Sequence, residues 1–152
     1  MNSGVDVTIT GAVDSAVFGM ATSSAGDINR DGYSDIIVGA AHPSQPGKAS
    51  VYFGGASMNN IADVTMSGES LADNFGVSVS STGDFNGDGY TELLVGASEY
   101  NSQRGRVYCY EYNVTGNITS DSVRRLTGPG PNQVLVCLLA LQAMLTETDS
   151  MI

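Results

Sequence analysis

Short apolar segments alternate with turn-forming residues along most of the chain. Gly, Asn, Asp and Ser are concentrated between these segments, as is typical of short strands joined by tight turns. Residues 36–38 and 93–95 are continuous apolar runs, so we expect both faces of these two strands to be covered. The pattern predicts an all-β fold. We predict four strands in its first part, at residues 18–23, 35–40, 48–53 and 63–67.

An internal repeat organises these strands. Residues 18–40 align without gaps on residues 75–97 at a constant offset of 57, and 13 of the 23 positions are identical. Upstream, the sequence VTITG at 7–11 matches VTMSG at 64–68. Four strands in such a period indicate a β-propeller blade, since blade periods run from about 40 to about 50 residues. One blade cannot bury both of its faces, so the repeat predicts stacked blades.

The repeat also sets the expected limits of the units. We place the first blade at 1–58, the second at 59–122 and the start of a third repeat at 123–130. The remaining residues, 131–152, contain an apolar run that is too short for a membrane-spanning helix, which needs about 20 residues. Three origins stay open for this tail: a short buried helix, a membrane-associated segment, or sequence unrelated to the propeller.

Two acidic loops carry the candidate chemistry. They read DINRDGYSD at 27–35 and DFNGDGYTE at 84–92. Calcium takes six to eight oxygen ligands, and side chains at alternating loop positions can converge on one ion. We therefore predict two Ca²⁺ sites, built from side chains at positions 1, 3, 5 and 9 and the main-chain carbonyl at position 7. The predicted ligands are Asp27, Asn29, Asp31, Tyr33 and Asp35 in the first loop and Asp84, Asn86, Asp88, Tyr90 and Glu92 in the second.

Two positions in the loops define the kind of site. Gly32 and Gly89, at position 6, permit the sharp backbone turn that a residue with a Cβ would resist. An EF-hand needs a carboxylate at position 12, where this chain has Val38 and Val95, so an EF-hand is excluded. The closing acid stands at position 9 instead, directly before strand residues. The sequence predicts a strand-loop-strand calcium site.

Charge narrows the range of partners. The net charge is −10 and the isoelectric point is near 4.1, which opposes binding to nucleic acid. Six of the 16 acidic side chains lie in the two loops, so much of the excess charge has a candidate counter-ion in bound metal.

Other reactive side chains form no catalytic constellation, so we expect no enzyme. His42 precedes Pro43 and is expected to be an ordinary loop histidine. Cys109 and Cys137 have no metal or redox spacing, and their disulfide state stays open. The glycosylation sequons at Asn113 and Asn117 would mark a surface loop of a secreted glycoprotein, and their use stays open. The basic residues Arg104, Arg106, Arg124 and Arg125 are expected in a turn and on solvated surface.

Together these motifs resemble the FG-GAP repeat of integrin α-subunits. Each repeat has a Phe-Gly pair, at Phe18 and Phe75, then the acidic loop, then Val-Gly-Ala at 38–40 and 95–97. The resemblance implies an extracellular or cell-surface seven-bladed propeller that acts in cell adhesion or ligand recognition. In it, calcium loops would stiffen hairpins on one face, and ligands would bind at the opposite face. We expect Phe18 and Phe75 to be core anchors between blades.

The resemblance leaves the partners and the wider protein open. The partner would be an extracellular protein or glycan. The remaining blades would come from a longer parent chain or from oligomerisation, since two blades leave strand edges exposed. The alternatives are an accessory propeller of a secreted, phospholipase-like hydrolase and a propeller lectin.

Overall fold

The fold is almost entirely β. The computed structural model describes residues 7–11, 17–84, 87–112, 118 and 124–128. The predicted all-β class with two four-stranded units is confirmed, because the strands form two antiparallel four-stranded sheets. The first sheet contains β1 (Val17–Gly26), β2 (Asp35–Ala41), β3 (Lys48–Tyr52) and β4 (Val64–Ser67). The second contains β5 (Phe75–Gly83), β6 (Glu92–Ala97), β7 (Arg106–Tyr110) and β8 (Arg124–Thr127).

Each sheet is a meander in which consecutive strands are neighbours. The first hairpin of each sheet carries a bulge at the Phe-Gly pair, between Phe18 and Ala21 in β1 and between Phe75 and Ser78 in β5. The glycine of each pair has a positive φ, 82° at Gly19 and 85° at Gly76. A bulge of this kind favours glycine because a Cβ strains a left-handed backbone. The Phe-Gly motif therefore has a backbone role.

The two sheets approach each other backbone to backbone. A Cβ built at Gly39 would lie 2.0 Å from the carbonyl oxygen of Gly76, and one at Gly47 would lie 1.9 Å from that of Phe75. Glycines of the first sheet thus make room for the start of β5. This close fit fixes how the second sheet stacks on the first.

The main core lies between the sheets. Phe75 is fully buried there, and its ring meets that of Tyr108 edge to face at a centroid distance of 5.1 Å. Aromatic pairs in this geometry add to the stability that burial of apolar area gives. Other buried residues of this core are Ile37, Ala49, Val51, Leu93 and Val95.

Phe18 differs from Phe75 although both hold the same repeat position. It is half-buried and faces a cavity of about 270 Å³ on the other face of the first sheet, where it lies beside Ala40, Ser50 and Tyr52. Among the residues that the structure describes, no second sheet covers this face. Phe75 therefore lies between two sheets as expected of a core anchor, whereas Phe18 does not.

The outer strand of each sheet lies beyond the limits drawn from the repeat. β4 pairs with β3 although it follows residue 58, and β8 pairs with β7 although it follows residue 122. The segment expected to open a third repeat therefore completes the second sheet. In sequence, the motif that begins one repeat is the last strand of the preceding sheet.

The connection before β7 contains a single turn, α1 (Tyr100–Gln103). Asn101 and Ser102 have positive φ angles of 49° and 57°, so this turn is not a regular right-handed helix. Within the described ranges, no helix is long and apolar enough to cross a membrane.

Candidate metal centre

The two acidic loops occupy equivalent places. The first joins β1 to β2 and the second joins β5 to β6, and each hairpin closes on a register pair, Gly26 with Asp35 and Gly83 with Glu92. Strands therefore enter and leave each loop, as the position-9 acid predicts. Because the sheets stack through β1, β2 and β5, both loops lie at the same end of the pair.

Position 1 organises both loops in the same way. The carboxylate of Asp27 accepts the N–H of Gly32 at 2.9 Å, and that of Asp84 accepts the N–H of Gly89 at 2.8 Å. Gly32 and Gly89 have φ angles of 92° and 85°, as the sharp turn at position 6 requires. The first loop adds a bond of 3.0 Å from the N–H of Asp31 to Asp27.

The side chain at position 5 also makes the same hydrogen bond in both loops. Asp31 accepts the N–H of Tyr33 at 2.9 Å, and Asp88 accepts that of Tyr90 at 2.8 Å. In the first loop the amide of Asn29 also donates to Asp31 at 2.9 Å. These bonds hold the acidic side chains on the inside of each turn.

The two closing acids differ in their contacts. Asp35 is fully buried, and its two oxygens accept the N–H groups of Ile28 at 2.9 Å and Gly54 at 2.8 Å. Burial raises the pKa of Asp35, the charges of Asp31 and Asp27 act in the same direction, and the two backbone bonds oppose them. Asp35 thus ties the loop to the turn after β3.

Glu92 closes the second loop differently. It is also buried, and the hydroxyl of Thr82 lies 3.4 Å from its carboxylate. One ligand oxygen each of Asp84, Asp88 and Glu92 lie within 4.8 Å of one another. Among the described residues, these three carboxylates form the acidic group whose members lie close enough together to bind one ion. Three carboxylates at this distance repel one another unless a cation or protons offset their charge.

The donor set fits calcium. Carboxylate oxygens are hard ligands, and the bound lengths of about 2.3 to 2.6 Å can be reached by small movements of a triad already this close. Soft sulfur ligands, which zinc and copper favour, are absent from both loop sequences. Asn86, a predicted ligand, lies outside the described residues, and Tyr33 and Tyr90 would contribute main-chain carbonyls.

Sequence reasoning missed Arg30, which stands at position 4 of the first loop. Its guanidinium donates to the carbonyl of Gly89 and lies over the ring of Tyr90, 3.5 Å from the centroid. The one available signal was the contrast with Gly87 at the same position of the second loop. A long cation in place of glycine in a tight turn indicates that its side chain has a partner outside the loop.

Two other predictions on polar residues are modified. His42 is buried, and its Nδ1 accepts the N–H groups of Ser44 and Gln45 at 3.1 and 3.0 Å, so it braces the turn between β2 and β3. Arg125 is paired rather than merely solvated, because Glu69 accepts its Nε at 2.7 Å. Arg106 joins the same carboxylate at 2.8 Å.

Several predicted features fall outside the described residues, or only partly inside them. Cys109 is buried on β7, whereas Cys137 is outside. The sequons at Asn113 and Asn117 and the tail 131–152 are also outside.

Comparison with known protein families identifies the repeated motif. A family model described as FG-GAP repeat matches residues 18–52 and 75–110, one match in each sheet. Each match contains one acidic loop and the first three strands of its sheet. The chain therefore carries two FG-GAP repeats.

The relatives that it resembles are integrin α-subunits. Integrin alpha-4 of Xenopus laevis is 32% identical over 116 residues, covering 73% of this chain and 11% of the relative. Integrin alpha-8 of Mus musculus is 31% identical over 117 residues, covering 70% and 11%. Integrin alpha-7 of Homo sapiens is 37% identical over 92 residues, covering 59% and 8%. The chain thus spans about a tenth of the length of these relatives.

Proposed function

We propose that this chain is a calcium-binding, non-enzymatic part of an integrin-α-like extracellular propeller that acts in cell adhesion or ligand recognition. One observation carries the calcium proposal: the same acidic loop occurs twice in register, and its second copy gathers Asp84, Asp88 and Glu92 within 4.8 Å. The similarity to integrin α-subunits supports the extracellular and adhesive role.

The proposed ligands follow the repeated positions. The side chains of Asp27, Asn29, Asp31 and Asp35 with the Tyr33 carbonyl would hold one ion. Those of Asp84, Asn86, Asp88 and Glu92 with the Tyr90 carbonyl would hold the other. Bound calcium would supply the positive charge that offsets three carboxylates in each loop.

The residues of the chain define what the ions would do. Positions 1 and 5 hold the turn by accepting N–H groups from positions 6 and 7, while position 9 is the first residue of the next strand. A ligand set that spans positions 1 to 9 therefore ties the end of one strand to the start of the next. We infer that calcium clamps the first hairpin of each sheet and has no catalytic role.

The remaining blades and the ligand belong to the same proposal. The face of the first sheet that carries Phe18 is half-exposed, while its repeat counterpart around Phe75 is covered by a neighbouring sheet. We propose that further blades, from a longer parent chain or from other copies, cover such faces. The ligand would be an extracellular protein or a glycan.

Isothermal titration with Ca²⁺ tests the metal sites. We expect two binding events in the unchanged chain, one in Asp31→Ala, one in Asp88→Ala and none in the double variant. Because the ion binds the folded state, each site at a calcium concentration of about 100 times its Kd should stabilise the folded chain by about 2.7 kcal/mol and raise Tm accordingly.

Asp63→Asn is the matched control. It also removes one negative charge but keeps an oxygen to accept the N–H of Phe53, outside both loops. It should retain both binding events. Absence of binding heat and of any rise in Tm in the unchanged chain would refute the calcium proposal.

A further inference from the structure

The two loops touch each other through Arg30. Its side chain leaves the first loop, donates to the carbonyl of Gly89 and stacks on the ring of Tyr90 at 3.5 Å. The loop bases meet as well, since a Cβ built at Gly26 would lie 3.3 Å from the hydroxyl oxygen of Thr91. The sites are therefore not independent surface turns.

The backbone at position 4 shows that the arginine side chain is not needed for the turn. Arg30 has a φ of 62° and Gly87, its counterpart, a φ of 78°. Glycine adopts this left-handed conformation readily, whereas a residue with a Cβ is strained in it. The second loop makes the same turn with glycine. The first loop thus carries a strained residue whose side chain reaches a neighbouring loop.

The contacted residues are the ones that shape the second site. The N–H of Gly89 holds the Asp84 carboxylate, and the N–H of Tyr90 holds that of Asp88. The carbonyl of Tyr90 is itself a proposed ligand. The Arg30 guanidinium contacts both Gly89 and Tyr90 from the neighbouring loop. It therefore restricts the motion of this segment and keeps the carboxylates of Asp84 and Asp88 in position.

We propose that Arg30 is a positioning residue that couples the two loops, so that calcium binding in the first loop strengthens binding in the second. This inference rests on the proposed calcium sites. An ion in the first loop orders positions 3 and 5, which flank Arg30 on either side, and so lowers the entropic cost of holding its guanidinium on Gly89 and Tyr90. By linkage, binding in the second loop must strengthen binding in the first by the same factor.

The charge of Arg30 acts in the opposite direction. A cation near the second loop repels Ca²⁺, but it does so whether the first loop is filled or empty, and added salt screens it. Coupling, in contrast, depends on the state of the first loop. A double-mutant cycle separates the two effects because the constant repulsion cancels.

The experiment uses ¹⁵N-labelled full chain titrated with Ca²⁺ by NMR. The amide of Gly32 reports the first loop and that of Gly89 the second. Four proteins are compared: unchanged, Asp31→Ala, Arg30→Gly and the double variant. We expect Asp31→Ala to weaken binding at Gly89 about fivefold in the presence of Arg30, at the low end of usual coupling, and less than twofold in its absence. An equal factor in both backgrounds overturns the proposal.

Three further measurements serve as independent tests and controls of this result. Asp88→Ala, read at the amide of Gly32, should weaken calcium binding in the first loop by the same factor as in the first cycle. This reverse measurement does not depend on Asp31→Ala, which perturbs its own loop. Arg30→Lys keeps the charge but loses the planar fork, so it should lose most of the coupling. Arg104→Ala, an exposed arginine in the connection at the other end of the second sheet, removes the same charge and should keep the coupling. If neither amide of the unchanged chain shifts with Ca²⁺, the calcium proposal itself fails.

Discussion

Phe18 and Phe75 hold the same position in the two repeats, yet Phe75 is fully buried between sheets and Phe18 is half-buried beside a cavity. The closing acids show a similar divergence. Asp35 binds two backbone N–H groups, whereas Glu92 is gathered with Asp84 and Asp88. A repeated motif thus fixes the local backbone but not the surroundings. What each copy contributes depends on what packs against it.

The largest expected effect tests the contrast between the two phenylalanines. Phe75→Ala should lower the free energy of unfolding by about 3 to 5 kcal/mol, since it empties a buried site between the sheets. Phe18→Ala should cost about 1 kcal/mol in this chain because its ring is half-exposed. Urea denaturation of the two variants measures the difference. Equal losses would show that the first sheet is covered in solution.

A smaller effect should separate the two closing acids in calcium-free buffer. Asp35→Asn places an amide N–H₂ against the N–H of Ile28 or Gly54 and should cost about 2 to 3 kcal/mol. Glu92→Gln removes one charge from a repelling triad and should change stability by less than about 1 kcal/mol. Thermal unfolding in a chelator checks both values. A greater loss from Glu92→Gln than from Asp35→Asn would contradict this difference between the two closing acids.

The smallest effect concerns tyrosines of the second sheet. Burial, reinforced by the charge of Glu69, raises the pKa of Tyr108 to about 12, and burial also raises that of Tyr110. At pH values between the unfolded tyrosine pKa of about 10 and the raised pKa values of the folded chain, only the unfolded chain loses these protons. Stability is therefore full below about pH 10 and falls as pH rises, by about 1 kcal/mol for Tyr108 near pH 11.

Urea denaturation at about pH 8 to 11 measures this loss. Tyr108→Phe should flatten the alkaline decline. The first sheet has Ser50 where the second has Tyr108. Ser50→Ala is the comparison and should steepen the decline slightly, because it removes the hydroxyl that lowers the pKa of Tyr52. An identical slope in Tyr108→Phe would remove this tyrosine as its source.

The features that could be predicted from the sequence are local. Alternation and turn residues indicated the strands, and the loop spacing indicated which acids face inward, because both depend on neighbours along the chain. β1 extends to Gly26, beyond the predicted 18–23, because pairing with β2 continues to the base of the loop. Hairpin length is set by the partner strand as well as by its own sequence.

The features that could not be predicted depend on distant contacts. Arg30 binds a residue 59 positions away, and nothing in the first loop alone indicates that partner. The burial of His42 depends on a turn folding back on its ring, and the difference between Phe18 and Phe75 depends on which face is covered. Local pattern carries no information about such neighbours.

The position of β4 has a consequence for the evolution of the chain. The VTMSG motif at 64–68 opens the second repeat in sequence, but it supplies the outer strand of the first sheet. The unit copied by gene duplication is therefore offset from the unit that folds. Each new copy completes the sheet before it and depends on the next copy to complete its own. Recombination at this motif can add or delete a repeat while every internal sheet keeps four strands, which makes the number of repeats easier to change than their architecture.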